Sequence, residues 1–178
     1  GVGLMTMFMF IIVGVFICGM MVGRTPEYLN RKVETAEMKI ALLALLVNPF
    51  LILGGTALFA MTPWGAEAVL NPGNHGFSEI LYEMTSAAAN NGSGFEGLAD
   101  NTPAWNIGTG VAMILSRFFT LILPLAVAGS LAGKKPTPET TGTFRTDTVM
   151  FGLVLLGTVI LLGALIFFPL AVLGPIAD

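Results

Sequence analysis

The stretch Glu83-Met-Thr-Ser-Ala-Ala-Ala-Asn-Asn-Gly-Ser-Gly-Phe-Glu96 decides the fold. It lies between two long apolar segments and holds no Lys or Arg. It reads as a short helix running into a polar, glycine-broken loop. Inside a membrane, such backbone is tolerated only where it is buried in protein or lines a cavity. The simplest task for carbonyls exposed at that depth is to replace the hydration shell of a cation. The sequence therefore points to a re-entrant pore loop and an ion pathway. The competing possibility is an ordinary extracellular turn, since Asn-Gly is a common turn signal.

The composition around this stretch is that of an integral membrane protein. Of 178 residues, 54% are hydrophobic and 11% charged, with a mean hydropathy of +0.83. A soluble domain carries roughly 25% charged residues. The net charge of -3 gives no reason to expect a nucleic-acid partner. Cys18 is the single cysteine, so a disulfide within the chain is excluded and a small buried hydrophobe is expected there. The first apolar segment has neither the flanks nor the cleavage site of a signal peptide, and we expect a fragment that begins inside a larger protein.

Four segments are long enough to span about 30 Å of hydrocarbon. They run from about Gly3 to Val22, Ile40 to Met61, Trp105 to Leu131 and Val149 to Leu173. Between the second and third, a helical candidate at about Phe77 to Ala89 is too short and too polar to cross. Arg24, Arg31, Lys32 and Lys39 fall between the first two spans; Lys134, Lys135 and Arg145 fall between the last two. The segment Thr62 to Ala104 has no basic residue, and neither has the C-terminal tail. By the positive-inside rule the two basic loops are cytoplasmic. The chain thus starts outside, crosses four times and ends outside, with the pore loop dipping in from the outer face. The expected fold class is an all-α membrane protein in which span, re-entrant pore helix and span form one repeat.

Several residues stand out against this frame. A helix that ends near mid-membrane turns its negative dipole end toward the bilayer centre, where a cation is favoured. Asn90, Asn91, Gly92 and Ser93 follow at once. Gly92 can take a positive φ without steric cost, and Ser93 can add a hydroxyl oxygen. One loop supplies only a few oxygens, so a closed filter needs about four of them. Arg117 lies near the middle of the third span, where a charge costs at least about 2.5–3.5 kcal/mol and must face protein or water. It reads either as an electrostatic gate below the filter or as half of a structural ion pair.

Glu79 and Glu83, one turn apart, either attract cations or anchor the loop; anchoring is favoured. His75 lies in a turn-rich approach and reads as a surface residue. Trp64 and Trp105 sit at span ends, as interfacial anchors do. Gly14, Gly19, Gly54, Gly55, Gly152, Gly157 and Gly163 read as close helix packing. No P-loop and no Asp-Lys-Thr-Gly motif is present.

These residues resemble the potassium-binding subunit (KdpA) family of Kdp-type potassium-transporting ATPases of bacteria and archaea. The matching motifs are Gly23-Arg-Thr-Pro-Glu-Tyr-Leu29, Asn71-Pro-Gly-Asn-His-Gly-Phe-Ser-Glu79, Ser86-Ala-Ala-Ala-Asn-Asn-Gly-Ser-Gly94 and Ala128-Gly-Ser-Leu131. The likeness runs over essentially the whole chain. It implies four helix–pore loop–helix repeats around one pore, of which this chain is the C-terminal third. Residues 1–22 would close the third repeat, 23–39 form a cytoplasmic loop and 40–133 the fourth repeat. Residues 134–148 would form a second cytoplasmic loop, and 149–178 a last transmembrane helix with an outer tail.

The same resemblance implies potassium as the bound ion. It places Asn90, Asn91, Gly92 and Ser93 in the fourth filter segment, Gly1 and Gly3 at the trailing edge of the third, and Arg117 below the filter, where it restricts passage. Ala89 departs from the pattern, which has a further Asn there. The implied partners are a P-type ATPase catalytic subunit, a single-transmembrane accessory subunit, a small membrane peptide and membrane lipid. The implied location is the cell membrane, with catalysis in another chain and contacts for ion transfer at the first span and the loop Arg24 to Lys39. The rival expectations are a passive Trk/Ktr-type potassium channel or symporter subunit, from which the Gly23-to-Leu29 motif separates this chain, and a membrane scaffold with an ordinary outer loop.

Overall fold

The computed structural model describes residues 3–94, 97–138 and 145–173, with side chains in the last helix described up to residue 165 and at Phe168. The elements are helix α1 (Gly3–Met21), strands β1 (Glu27–Tyr28) and β2 (Arg31–Lys32), and helices α2 (Thr35–Met61), α3 (Pro63–Ala66), α4 (Asn74–Ala89), α5 (Pro103–Gly133) and α6 (Val149–Leu173). Helices α1, α2 and α5 are long and apolar enough to cross a membrane, and α6 is apolar over Val149–Leu165. Only 33%, 17% and 22% of the apolar windows of α1, α2 and α5 are buried, so most of their surface is left for lipid or further protein.

Helix starts differ from the hydropathy reading where capping groups reach beyond the apolar stretch. Helix α2 starts five residues before Ile40. Glu37 Oε2 accepts the Glu34 N–H at 2.9 Å, and Met38 N–H bonds the Glu34 carbonyl, so a polar first turn precedes the apolar run. Helix α5 starts at Pro103, with Thr102 Oγ1 accepting the Trp105 N–H at 3.4 Å.

The chain divides into two compact units. The first holds Leu46–Phe119 with the end of α6; the second holds the chain before Leu46 and Thr120–Phe167. In the first, Phe59, Ile80, Met84, Leu98, Trp105 and Ala112 form the core. Trp105 is fully buried, its ring 4.0 Å from Phe59 and its Nε1–H donating to the Gly65 carbonyl at 3.3 Å. This corrects its reading as an interfacial anchor: the indole is enclosed on every side and its polar atom is satisfied inside the protein. Phe59 fits because Gly65 and Gly108 leave room, since a Cβ on either would lie within 2.3 Å of it. Trp64 stays 43% exposed, as an anchor would be.

In the second unit, Met9, Ile12, Val13, Val33, Met38, Ala41, Val127 and Leu131 make the main core, and Val15 packs with Phe151. The segment after α1 folds into a small antiparallel hairpin, Glu27 opposite Lys32 and Tyr28 opposite Arg31. Leu29 and Asn30 at its tip have φ of 50° and 57°, the pair of left-handed residues that a two-residue hairpin turn requires. Tyr28 returns to within 5.8 Å of Phe8.

Ionic groups hold the loops of this unit. Arg31 Nη1 donates to the carbonyls of Leu131 and Ala132, both at 2.8 Å, and to that of Lys134. Lys134 Nζ meets the Lys32 carbonyl at 3.0 Å and Glu34 and Glu37 at 2.8 Å each. Burial opposes the charge of Lys134, but the bonds to the two carboxylates outweigh it and hold the ammonium above the ordinary lysine range.

Of the glycines read as packing sites, Gly55 is tight against Met84 and Gly19 against Pro26, and Gly14 is in ordinary contact with Thr158. Gly54, Gly152, Gly157 and Gly163 meet nothing within 4 Å among the described residues. Their lack of side chains is not used inside this part of the molecule.

Candidate functional site: the loop after helix α4

Helix α4 starts at Asn74, three residues earlier than its apolar pattern suggests, behind Gly73 with φ 88°. Buried Glu79 fixes its first half. The carboxylate accepts the Leu70 N–H at 3.3 Å and the Asn71 Nδ2–H at 2.5 Å, with His75 Nε2 at 4.0 Å. Gly97 passes so close that a Cβ there would lie 2.5 Å from Glu79 Oε1. The backbone continues this tie: Leu70 N–H bonds the Gly97 carbonyl and Ala99 N–H the Ala68 carbonyl, around a bridge between Val69 and Leu98. Glu79 thus holds the segment before α4 to the segment after the loop, the anchoring role expected of it. His75 is largely exposed, as read.

The helix ends at Asn90, whose φ of 55° and ψ of 35° are left-handed. Its N–H bonds the Ala87 carbonyl at 3.0 Å, and Asn91 N–H reaches the Ser86 carbonyl at 3.4 Å. Asparagine suits this cap because its short amide tolerates the left-handed region. Its Nδ2 donates to the Ala88 carbonyl at 3.2 Å and to the Met113 carbonyl of α5 at 3.3 Å. The buried Ser116 hydroxyl on α5 also lies at the Ala88 carbonyl, and 2.8 Å from Asn48 Oδ1 on α2. The last turn of α4 is therefore bonded to both flanking helices.

Beyond the cap, Gly92 and Gly94 have φ of 67° and 56°, so positive φ recurs at positions 90, 92 and 94. In an extended strand successive carbonyls point to opposite sides. A change of hand at every second residue is how a backbone can bring them to one side. Among the described residues, no hydrogen bond is accepted by the carbonyls of Asn90 to Gly94. Asn91, Gly92 and Ser93 are exposed. The loop's side chains point elsewhere. Asn91 Oδ1 accepts the Ser93 N–H at 3.0 Å and lies 2.8 Å from Ser86 Oγ. Ser93 Oγ lies 3.0 Å from Asn91 Oδ1, 3.2 Å from Ser86 Oγ and 3.0 Å from the Tyr82 hydroxyl. The Ser93 hydroxyl, expected to face an ion, is turned back onto α4. Ser86 and Tyr82 were not singled out from the sequence; one serine in a run of small residues leaves no mark on periodicity.

Arg117 is exposed on α5, four residues after Met113 and hence about 6 Å along the helix. Among the described residues it makes no ion pair. Ala89, the departure from the family pattern, is exposed at the same end of α4. Gly3 is the first residue of α1, with open space around it, and Gly1 lies outside the described residues. Among the described residues, no three His, Cys, Asp or Glu side chains cluster to hold a metal ion.

A family model for the potassium-transporting ATPase A subunit (KdpA) matches residues 1–178. The potassium-transporting ATPase potassium-binding subunit of Geobacillus kaustophilus (strain HTA426) is 58% identical over 178 residues. That match covers 100% of this chain and 32% of the relative, so the chain spans about a third of the length of the curated protein it matches.

Proposed function

Because the chain belongs to the KdpA family, the potassium-transporting ATPase A subunits, we propose that it forms one quarter of a potassium filter within an ATP-driven import complex. The observation that carries this reading is the end of α4. A left-handed cap is followed by carbonyls that accept no bond among the described residues. They sit at the negative end of a helix dipole, where a cation is favoured. In this reading Asn90, Asn91, Gly92 and Ser93 act through backbone oxygen, with Gly1 and Gly3 at the edge of a neighbouring segment. Four such segments together strip and hold potassium.

Residues 40–133 would then be one whole repeat entered from the outer face. Residues 1–22 would close the repeat before it, 23–39 and 134–148 would lie on the cytoplasmic side, and 149–178 would cross once more. The location is the cell membrane. Arg117, one turn beyond the loop's contact with α5, restrains the ion below the filter by its charge. ATP hydrolysis lies in a P-type ATPase partner, and an accessory single-span subunit and a small peptide complete the assembly. The family match favours this ATP-driven complex over the passive transporters.

The test is potassium-stimulated ATP hydrolysis by the complex purified through the full-length parent chain, titrated with potassium and then sodium. A potassium-selective response is expected, and weakening of apparent affinity by Gly92→Asp would place the filter at this loop. Potassium flux in liposomes with no co-purifying ATPase would overturn the reading.

A further inference from the structure

We propose, on the reading that this loop is a potassium filter segment, that Ser86 is a positioning residue that sets its ion preference from behind. The residue is 3% exposed, and its Oγ lies within hydrogen-bond reach of three groups at once. These are Asn91 Oδ1 at 2.8 Å, Ser93 Oγ at 3.2 Å and the Gly94 N–H at 3.2 Å. The Tyr82 hydroxyl, one turn earlier on the same helix, closes on Ser93 Oγ at 3.0 Å.

One consistent placement of the protons uses all three hydroxyls. Tyr82 O–H donates to Ser93 Oγ, Ser93 O–H to Ser86 Oγ, and Ser86 O–H to Asn91 Oδ1. Asn91 Oδ1 also takes the Ser93 N–H at 3.0 Å, and Ser86 Oγ also takes the Gly94 N–H. In this arrangement Ser86 Oγ donates once and accepts twice, which exhausts a hydroxyl. Two consequences follow. The hydroxyl of Ser93 and the amide oxygen of Asn91 are engaged on the protein side, so the loop's unbonded oxygens are chiefly its backbone carbonyls. The positions of those carbonyls are then inherited from α4 through Ser86, because Asn91, Ser93 and Gly94 all refer to one atom on the helix.

An ion smaller than potassium gains only if the carbonyls close in on it. A loop bonded to a helix at three points resists that closure, and a loop released from it does not. Ser86→Ala removes the shared atom but leaves the helix face apolar and small. Tyr82→Phe removes the hydroxyl link to Ser93, at a residue 42% exposed.

The experiment is ATP hydrolysis by the assembled full-length complex, titrated with potassium and with sodium, for the unsubstituted protein and both variants. For Ser86→Ala we expect the half-saturating potassium concentration to rise roughly tenfold, the change that loss of about one buried hydrogen bond produces. Sodium should begin to stimulate, while the rate at saturating potassium stays unchanged. A residue needed only for folding would lower the yield or the maximal rate and leave the ion order intact. Unchanged half-saturation and ion order in assembled Ser86→Ala would overturn the proposal. Should Ser86→Ala not assemble, Tyr82→Phe decides: a smaller shift at unchanged maximal rate supports the proposal, and no shift overturns it. An unsubstituted complex without potassium preference would overturn the filter reading itself, a different failure.

Discussion

Around Ser86 the groups that hold the chain are neutral: two hydroxyls, a phenol, an amide and backbone N–H groups, with the carbonyls of Asn90 to Gly94 left open among the described residues. Around Glu37 they are charged. Arg31 closes three carbonyls at the end of α5, and Lys134 meets two carboxylates. One unit presents backbone oxygen, while the other covers it with a guanidinium. On the filter reading, the difference matches two separate tasks. In that reading, neutral dipoles suit a site that must release its ion. Permanent ion pairs suit loops that must keep one arrangement, provided each charge keeps its partner.

This contrast can be broken by substitution. The largest effect is expected for Lys134→Ala, which leaves Glu37 uncompensated at 1% side-chain exposure. Loss of one member of such a pair costs about 3–5 kcal/mol. Thermal unfolding of the purified complex should show a clear fall in Tm with the ion preference of surviving complex unaltered. A changed ion preference would mean that the ionic unit also shapes the site.

Gly92→Val should do the reverse. A β-branched residue at φ 67° costs on the order of 1–3 kcal/mol of backbone strain. We expect apparent potassium affinity to fall by tenfold or more, with a smaller fall in Tm than for Lys134→Ala. A large loss of Tm without a change in affinity would make the loop a structural turn.

Arg117→Ala should alter potassium uptake while the complex still assembles, because the guanidinium makes no ion pair among the described residues. If the variant is absent from the purified complex, Arg117 is instead held by a structural pair elsewhere in the assembly. The smallest effect sharpens the contrast. Leu29→Asn should stabilise by up to about 1 kcal/mol, since leucine at φ 50° carries a cost that asparagine avoids. Calorimetry that showed destabilisation would mean that the exposed leucine side chain is itself needed at the hairpin tip.

Much of this architecture was legible in the chain. The limits of α1, α5 and α6 fall within about two residues of the apolar stretches, because hydropathy and helix length carry the same information inside a bilayer. The loop after α4 was legible from its own residues, since Asn-Asn-Gly-Ser-Gly cannot continue a helix. What was not legible depends on contacts between distant residues. The start of α2 is set by Glu37 reaching back to Glu34, which hydropathy does not register. The two-residue strands of the hairpin are too short to leave a pattern. Trp105 at a span end looks the same in one dimension whether it faces headgroups or Phe59. Ser86 is likewise ordinary in sequence, and its importance appears only when Asn91, Ser93 and Gly94 converge on it.

Gly92 has nothing within 4 Å of where a Cβ would stand, yet its φ is 67°. What the position demands is therefore handedness, not room. A D-alanine introduced there by chemical ligation would fit the backbone and meet no neighbour, whereas L-alanine of the same volume would strain it. Mirror-image residues could thus separate chirality from size at a single position of the proposed ion path.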